Sequence, residues 1–269
     1  MELAKWYDAW KDQDNGGYKY EVDVPGSEGR APGVHASEIG CQRRIVYSIM
    51  RTERHPPPGQ LDMKRRFNMG HAVHGMVQHD FHRMCDWLNH SGEVISFKDE
   101  VHISPELGGI SAELDMHSSM DGEFCFWAPT APAEYTCYLR VGLEIKTESG
   151  PQYEKLLSPR DYHMEQVNLY QRALDLPLMW TLYINKSNSN YTRSEPPWLF
   201  QFDHDLWNKK LEPRIIKAHV LAEQGRLPDR TEGFPCRWCP FTWTCQPPSL
   251  KRRKAYGPSP TITNPGALR

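Results

Sequence analysis

The chain has 269 residues, 39% hydrophobic and 25% charged, with 32 Lys and Arg against 34 Asp and Glu and a formal net charge of -2. That describes an ordinary globular chain of one domain, or one domain with a small appendage. A mean hydropathy of -0.69 and the lack of an apolar run near 18 residues exclude a membrane-spanning helix. The near-neutral balance excludes wrapping nucleic acid by bulk charge while leaving room for a local basic groove. Residues 1–11 carry charges instead of a basic start and an apolar stretch, so no secretory leader is expected and a cytoplasmic location is. The seven cysteines, an odd count in a reducing compartment, argue against a complete disulfide framework.

Residues 2–12 have helical spacing, with Leu3, Trp6 and Trp10 on one face. Asp14-Asn15-Gly16-Gly17 stops that helix, and a Gly/Pro-rich loop runs to Gly33. Ser37 is an N-cap candidate for a helix reaching about Met50. A basic, proline-containing stretch then leads to a long helical pattern over 62–89. The texture changes to strands at 94–103, 109–117 and 139–147, which alternate or run apolar with β-branched residues. A proline-interrupted excursion over 121–137 separates the last two and reads as an extended hairpin or inserted loop. Residues 160–175 return to helical spacing with Met164, Val167, Tyr170 and Leu174 on one face, ended by Pro177. Strands at 179–184 and 198–202 and a helix at 205–224 follow. Beyond Leu227 come a cysteine-rich segment, the basic run 251–254 and a Pro/Gly/Ser tail of disordered composition. The order predicts an α/β fold, a sheet with helices packed against it.

Two strands carry acids. The first, Ile110-Ser111-Ala112-Glu113-Leu114-Asp115, ends in a carboxylate. On the second, Glu144 and Lys146 are two apart and share a face, while Ile145 points into the core. A carboxylate from one strand and an acid-x-lysine from its neighbour suit one oxygen-ligated hard cation such as Mg²⁺. An E-x-K triplet alone is more often the solvated face of a sheet, and its company decides. Gln166 and Tyr170 stand at i and i+4 on the following helix, and His74 follows Gly70 by four residues in the long helix.

The order Gly-x-x-x-His, Asp, Glu-x-Lys and Gln-x-x-x-Tyr resembles the RecB-type branch of the PD-(D/E)XK nuclease superfamily. The resemblance implies a restriction-endonuclease-like mixed central sheet flanked by helices. It implies His74, Asp115, Glu144 and the Ile145 carbonyl as metal ligands, Lys146 as the catalytic lysine, and Gln166 and Tyr170 as residues organising the site and the DNA strand. The sequence departs from the pattern in two ways: Ala112 stands where a glycine usually precedes the aspartate, and 28 residues between Asp115 and Glu144 exceed a short hairpin.

Cys236-Arg237-Trp238-Cys239 with Cys245 gives C-x2-C-x5-C, metal-site spacing whose plainest reading is zinc. Three thiolates need a fourth partner, and Cys41 is the candidate. One distant N-terminal cysteine with a C-terminal trio is similar to the iron–sulphur nucleases, among them CRISPR-associated exonucleases and stand-alone phage relatives. That similarity implies a 4Fe–4S cluster on Cys41, Cys236, Cys239 and Cys245, stapling the first core helix to the last segment. The organisation is then an N-terminal helix and loop (1–36), the first part of the cluster subdomain (37–60), the nuclease core (61–226), the second part of the subdomain (227–250) and a basic tail (251–269). Cys85, Cys125 and Cys137 are expected as buried structural thiols.

The expected activity is a Mg²⁺- or Mn²⁺-dependent DNA exonuclease in recombination, repair or end processing, acting on DNA with free ends or single strands. Alternatives on the same residues are an endonuclease or flap nuclease, or a DNA-trimming subunit of a CRISPR adaptation-type complex. The non-enzymatic alternatives are a DNA-binding or adaptation-complex subunit with a vestigial nuclease site, and a zinc-stapled structural protein in which E-x-K is accidental. Partners would be DNA, a second copy of the chain, or recombination or CRISPR proteins, and no membrane. Arg43, Arg44, Lys64, Arg65, Arg66, Lys155 and Arg160 are candidates for phosphate contact; Trp6, Trp10, Tyr153, Trp238 and Trp243 are candidates for base stacking.

Overall fold

The computed structural model describes residues 6, 9–10, 30–54, 60–90, 95–127, 138–187, 198–230, 236 and 239–245, with the backbone alone at 60–67 and 243. Its helices are α1 (Gln42–Ile49), α2 (Gln60–His90), α3 (Gly109–Glu113), α4 (Gly150–Glu154), α5 (Asp161–Leu174), α6 (Glu212–Glu223) and α7 (Thr242–Cys245). Five strands, β1 (Ile95–Ile103), β2 (Ser118–Phe126), β3 (Leu139–Glu148), β4 (Leu178–Asn185) and β5 (Trp198–Gln201), pair in the order β1-β2-β3-β4-β5. The β3–β4 pair is parallel and the other three are antiparallel. The parallel pair needs a crossover, which α4 and α5 supply. The result is a mixed α/β fold with a five-stranded mixed sheet between helices.

Two apolar layers hold it. The α2 stripe Val77, Phe81, Met84, Cys85 and Leu88 recurs at helical spacing and packs on Phe97, Phe124, Val141, Leu143, Ile145, Trp180 and Leu182. On the opposite face, Val167, Leu169 and Tyr170 of α5 join Met120, Met179, Trp207, Leu211, Ile215 and residues of the N-terminal segment and α1. Alternation along β3 therefore sends Val141, Leu143 and Ile145 toward α2, and Gly142, Glu144 and Lys146 the other way. Gly142 leaves room there for the sulphurs of Met179 and Met120, which would have to shift to admit a β-carbon. Strand β1 turns over at Glu100 (φ +47): Ile95 and Phe97 belong to the α2 layer, Val101 and Ile103 to the other.

The expected strand over 109–117 is instead the short helix α3 with the turn that follows it. Gly108 and Gly109 both take positive φ and break the extended chain. The strand lies one segment later, as β2, which starts just before the stretch expected as hairpin or loop and runs into it; residues 128–137 lie outside the described residues. The expected helix over 205–224 is a helical turn capped by Asp203, a π-helical turn at Trp207–Leu211, and then α6. Of the expected helix over 2–12 only residues 6, 9 and 10 are described. Trp10 is buried in the α2 layer beneath the Arg83 guanidinium, and Trp6 packs near Phe126.

Candidate active site

The β2–β3 ladder ends at the pair Gly122↔Leu143. Asp121 and Glu144 are the next residues outward on the two strands. Past the ladder's end the Ile145 N–H has lost its strand partner, and the Asp121 carboxylate takes it, Oδ2 accepting at 2.6 Å. Oδ1 of the same carboxylate lies 3.1 Å from His74 Nδ1 of α2. The Gln78 amide, one turn further along α2, donates to the Asp121 carbonyl at 2.7 Å. One aspartate thus ties together β2, β3 and the long helix.

On the α5 side, Glu144 is 3% exposed. Its Oε1 accepts from Lys146 Nζ and, at 2.8 Å, from Gln166 Nε2. Lys146 also donates to Gln166 Oε1 at 3.0 Å, so the amide bridges acid and base. Tyr170, one turn on, accepts from Gln166 Nε2 at 2.9 Å and donates to the Ser119 carbonyl at 2.8 Å. Glu144 Oε2 is buried and has no hydrogen-bond partner among the described residues, an arrangement that costs free energy unless something binds there.

Burial pushes the Glu144 carboxyl up to about 7; Asp121 adds to the rise, while Lys146 opposes it. Burial would raise Asp121 too, but His74, Lys146 and the Ile145 N–H together hold it below the usual carboxylate range. His74 answers in kind. Burial alone would lower it, and the Asp121 charge and hydrogen bond raise it. The two carboxylates are driven in opposite directions, as environments with different donors dictate.

The structure brings together six of the seven residues expected at this site: His74, Glu144, Ile145 through its backbone, Lys146, Gln166 and Tyr170. The seventh, Asp115, stands elsewhere, and that expectation is corrected. It has φ +48, its carbonyl accepts the Val34 N–H at 2.8 Å, and its side chain, 45% exposed, pairs with His117 at 3.0 Å. Asp121 occupies the position expected of it, with 22 residues before Glu144. The signal for it was the buried alternation Met120, Gly122, Phe124, Phe126, which sets Asp121 on a strand.

Several contact candidates are otherwise engaged. Arg44 lies 3.8 Å from the buried Glu38, Arg43 donates to Cys245 Sγ at 3.4 Å, and Arg160 pairs with Glu148 at 2.8 Å. Tyr153, like Trp10, is buried, so neither offers a stacking face. Lys155 is exposed. The side chains of Lys64, Arg65, Arg66, Trp238 and Trp243 lie outside the described residues.

At the other end of α1, Cys41 caps the helix and the closing segment packs against it. Tyr47 and Phe241 rings meet at 5.2 Å, and Arg54 lies 5.0 Å over Phe241. Burial raises the Cys239 thiol, and the neighbouring sulphurs of Cys41 and Cys245 raise it further against the pull of Arg44. The Cys236 carbonyl accepts from the Cys239 N–H and from Thr242 Oγ1. Three expected thiols therefore share one neighbourhood, with the fourth a turn away. Among the described residues no three His, Cys, Asp or Glu side chains are already set around one point as metal ligands. Of the remaining cysteines, Cys85 is a buried thiol pushed up to about 12 by burial. Cys125, expected as a buried thiol, is half-buried and disulfide-bonded. Cys137 lies outside the described residues.

No protein-family model matches the chain, and no curated protein does. Among solved structures, the crystal structure of SSO0001 is similar with a TM-score of 0.47 at 14% identity, over 91% of this chain and 93% of that one. An alkaline exonuclease (LHK-Exo) from Laribacter hongkongensis is similar with a TM-score of 0.42 at 10% identity, over 83% of this chain and 94% of that one. LHK-Exo in complex with dAMP gives a TM-score of 0.38 at 12% identity, over 72% and 89%. Likeness at this level leaves the chemistry to be argued from the chain's own residues.

Proposed function

We propose that the chain is a divalent-metal-dependent deoxyribonuclease that hydrolyses phosphodiester bonds from DNA ends. The observation that carries this reading is the Asp121–Glu144–Lys146–Gln166 constellation at the frayed end of the β2–β3 ladder, with one buried glutamate oxygen left unpartnered. Two carboxylates, a backbone carbonyl and an imidazole are oxygen-rich donors of the kind a hard cation takes. Asp121, Glu144 and the Ile145 carbonyl would hold Mg²⁺ or Mn²⁺, with His74 completing the set. The cation would supply Lewis acidity at the scissile phosphate and a more acidic water.

The chain's own groups do the rest. Lys146 presents an ammonium that offsets charge on the phosphate and orients the attacking water for in-line displacement. Gln166 fixes the spacing of Lys146 and Glu144, and Tyr170 locks Gln166 by spending its hydroxyl on the Ser119 carbonyl. Arg30, which donates to Ser37 at 3.0 Å and whose charge reaches Tyr170 and His71, is a cation suited to a neighbouring phosphate.

The gathered thiols of Cys41, Cys239 and Cys245, with Cys236 beside them, support a 4Fe–4S cluster as the staple between α1 and the closing segment. Soft thiolate donors with an arginine donating to one sulphur suit it. A brown anaerobic preparation with four irons per chain is expected; a colourless one holding zinc would replace the cluster by a zinc staple and leave the nuclease reading intact.

The test of function is digestion of end-labelled linear and covalently closed circular DNA with Mg²⁺, Mn²⁺ or EDTA. Metal-dependent loss of linear DNA with the circle intact is expected. Cleavage of the circle would make the enzyme an endonuclease on the same site, and inactivity under all conditions would end the proposal.

A further inference from the structure

We propose that His163 is a substrate-contacting residue of this site, its Nε2–H offered beside Lys146 to a non-bridging oxygen of the phosphodiester. The inference rests on the nuclease reading and adds a residue that the motif pattern did not single out. His163, Gln166 and Tyr170 fall at i, i+3 and i+7 of α5, hence on one face. Tyr183, the partner of His163, is the β4 residue paired with Lys146 across the parallel ladder. The imidazole therefore stands in the same row as the lysine and the amide.

Its tautomer follows from one assignment. The Tyr183 hydroxyl accepts the Arg160 backbone N–H at 3.2 Å, and His163 Nδ1 lies 2.5 Å away. We assign the phenol proton to that short contact, so that Nδ1 accepts and the ring carries its proton on Nε2. Burial, with the charges of Lys146 and Arg160 in support, drives the ring's pKa down to about 2, so the imidazole stays neutral across the working pH range. Nε2 has no hydrogen-bond partner among the described residues, and His163 keeps 8% of its surface exposed. A buried ring in this tautomer, its N–H unspent and Lys146 in the same row, is a preorganised donor. Such donors act most strongly on charge that develops in the transition state.

The experiment compares His163→Gln, which can return an amide N–H near the Nε2 position, with His163→Leu, which fills the space without a donor, and Tyr183→Phe, which releases the tautomer. Single-turnover digestion at saturating DNA is measured beside DNA affinity and melting temperature, with Lys146→Ala as the reference for the site. His163→Leu should lose about 10²-fold in rate with DNA affinity little changed. His163→Gln should recover most of that loss, and Tyr183→Phe should fall between. Nitrogen shifts of the His163 ring should report Nε2–H in the wild type and a mixture in Tyr183→Phe. If the Gln and Leu variants are equally slow, or both match the wild type while Lys146→Ala is inactive, the donor role is overturned and the nuclease reading stands. If Lys146→Ala digests DNA as well as the wild type, both fall together.

Discussion

Replacing Asp121 by Asn, with Asp115 replaced by Asn as its counterpart, separates the aspartate that the structure sets beside Glu144 from the one expected from the sequence. Asp121 accepts from the Ile145 N–H at 2.6 Å and faces His74 at 3.1 Å, with side-chain exposures of 15% and 24% for the aspartate and histidine. The amide keeps the shape and one acceptor, loses the charge and turns an N–H toward a donor. Charge-assisted hydrogen bonds contribute about 1.5–3 kcal/mol, so stability should fall by roughly 1–2 kcal/mol. Activity should fall much further, by about 10³-fold or about 4 kcal/mol, because a metal ligand and the group that fixes the Ile145 backbone are altered together. Asp115→Asn should be quiet on both counts: its side chain is half-exposed, Asn tolerates the left-handed backbone, and an exposed pair contributes about 0–1 kcal/mol. The assay is single-turnover digestion of end-labelled DNA, with a urea melt of each variant. An active Asp121→Asn enzyme, or an inactive but well-folded Asp115→Asn one, would refute the assignment.

Three further outcomes are expected. Glu144, buried and raised to about 7 in the fold against about 4.3 in the unfolded chain, binds more protons when native. The stability it contributes is full below about pH 4.3 and is lost as pH rises toward 7. Melts in EDTA should show that decline and Glu144→Gln should flatten it; parallel pH curves for both proteins would contradict it. Arg214 donates to Glu165 at 2.8 Å and to the Ile39 carbonyl at 2.7 Å while Lys210 also reaches Glu165. Arg214→Ala should therefore cost about 2–4 kcal/mol in urea unfolding, somewhat less than the roughly 3–5 kcal/mol of breaking a fully buried pair, since the lysine remains. Cys239→Ser should abolish visible absorbance and bound iron and lower the melting temperature, whereas Cys85→Ser should leave iron content unchanged; equal iron in both would remove the cluster from this corner.

Strand β3 and helix α5 were legible because their periods are clean and their polar residues sit at the right offsets, so Glu144, Lys146, Gln166 and Tyr170 could be placed beforehand. Asp121 was not. The run Ile110, Ala112, Leu114, Met116 imitates strand alternation, and only the paired left-handed glycines at 108 and 109, a backbone matter, turn it into a helix. The true strand looked like loop because Gly122 interrupts its apolar side and Asp121 and Glu123 crowd the other. The charged contacts were illegible for a related reason: Glu38 and Glu148 capture Arg44, Arg54 and Arg160 through tertiary approach, which no local spacing announces. Near the N-terminus Trp10 followed the commoner habit of its type and went into the core, with Trp6 partly buried at its margin.

The segment bearing Cys239, Phe241 and Cys245 seals a corner whose other wall, α1, precedes the whole sheet in the chain. A ribosome must translate the five strands and both flanking helices between making one wall and making the other, so Tyr47 stays uncovered throughout that interval. A nascent chain that stops short of Phe241 would thus hold a finished sheet beside an open apolar corner, poor in stability and easily cleared by proteases.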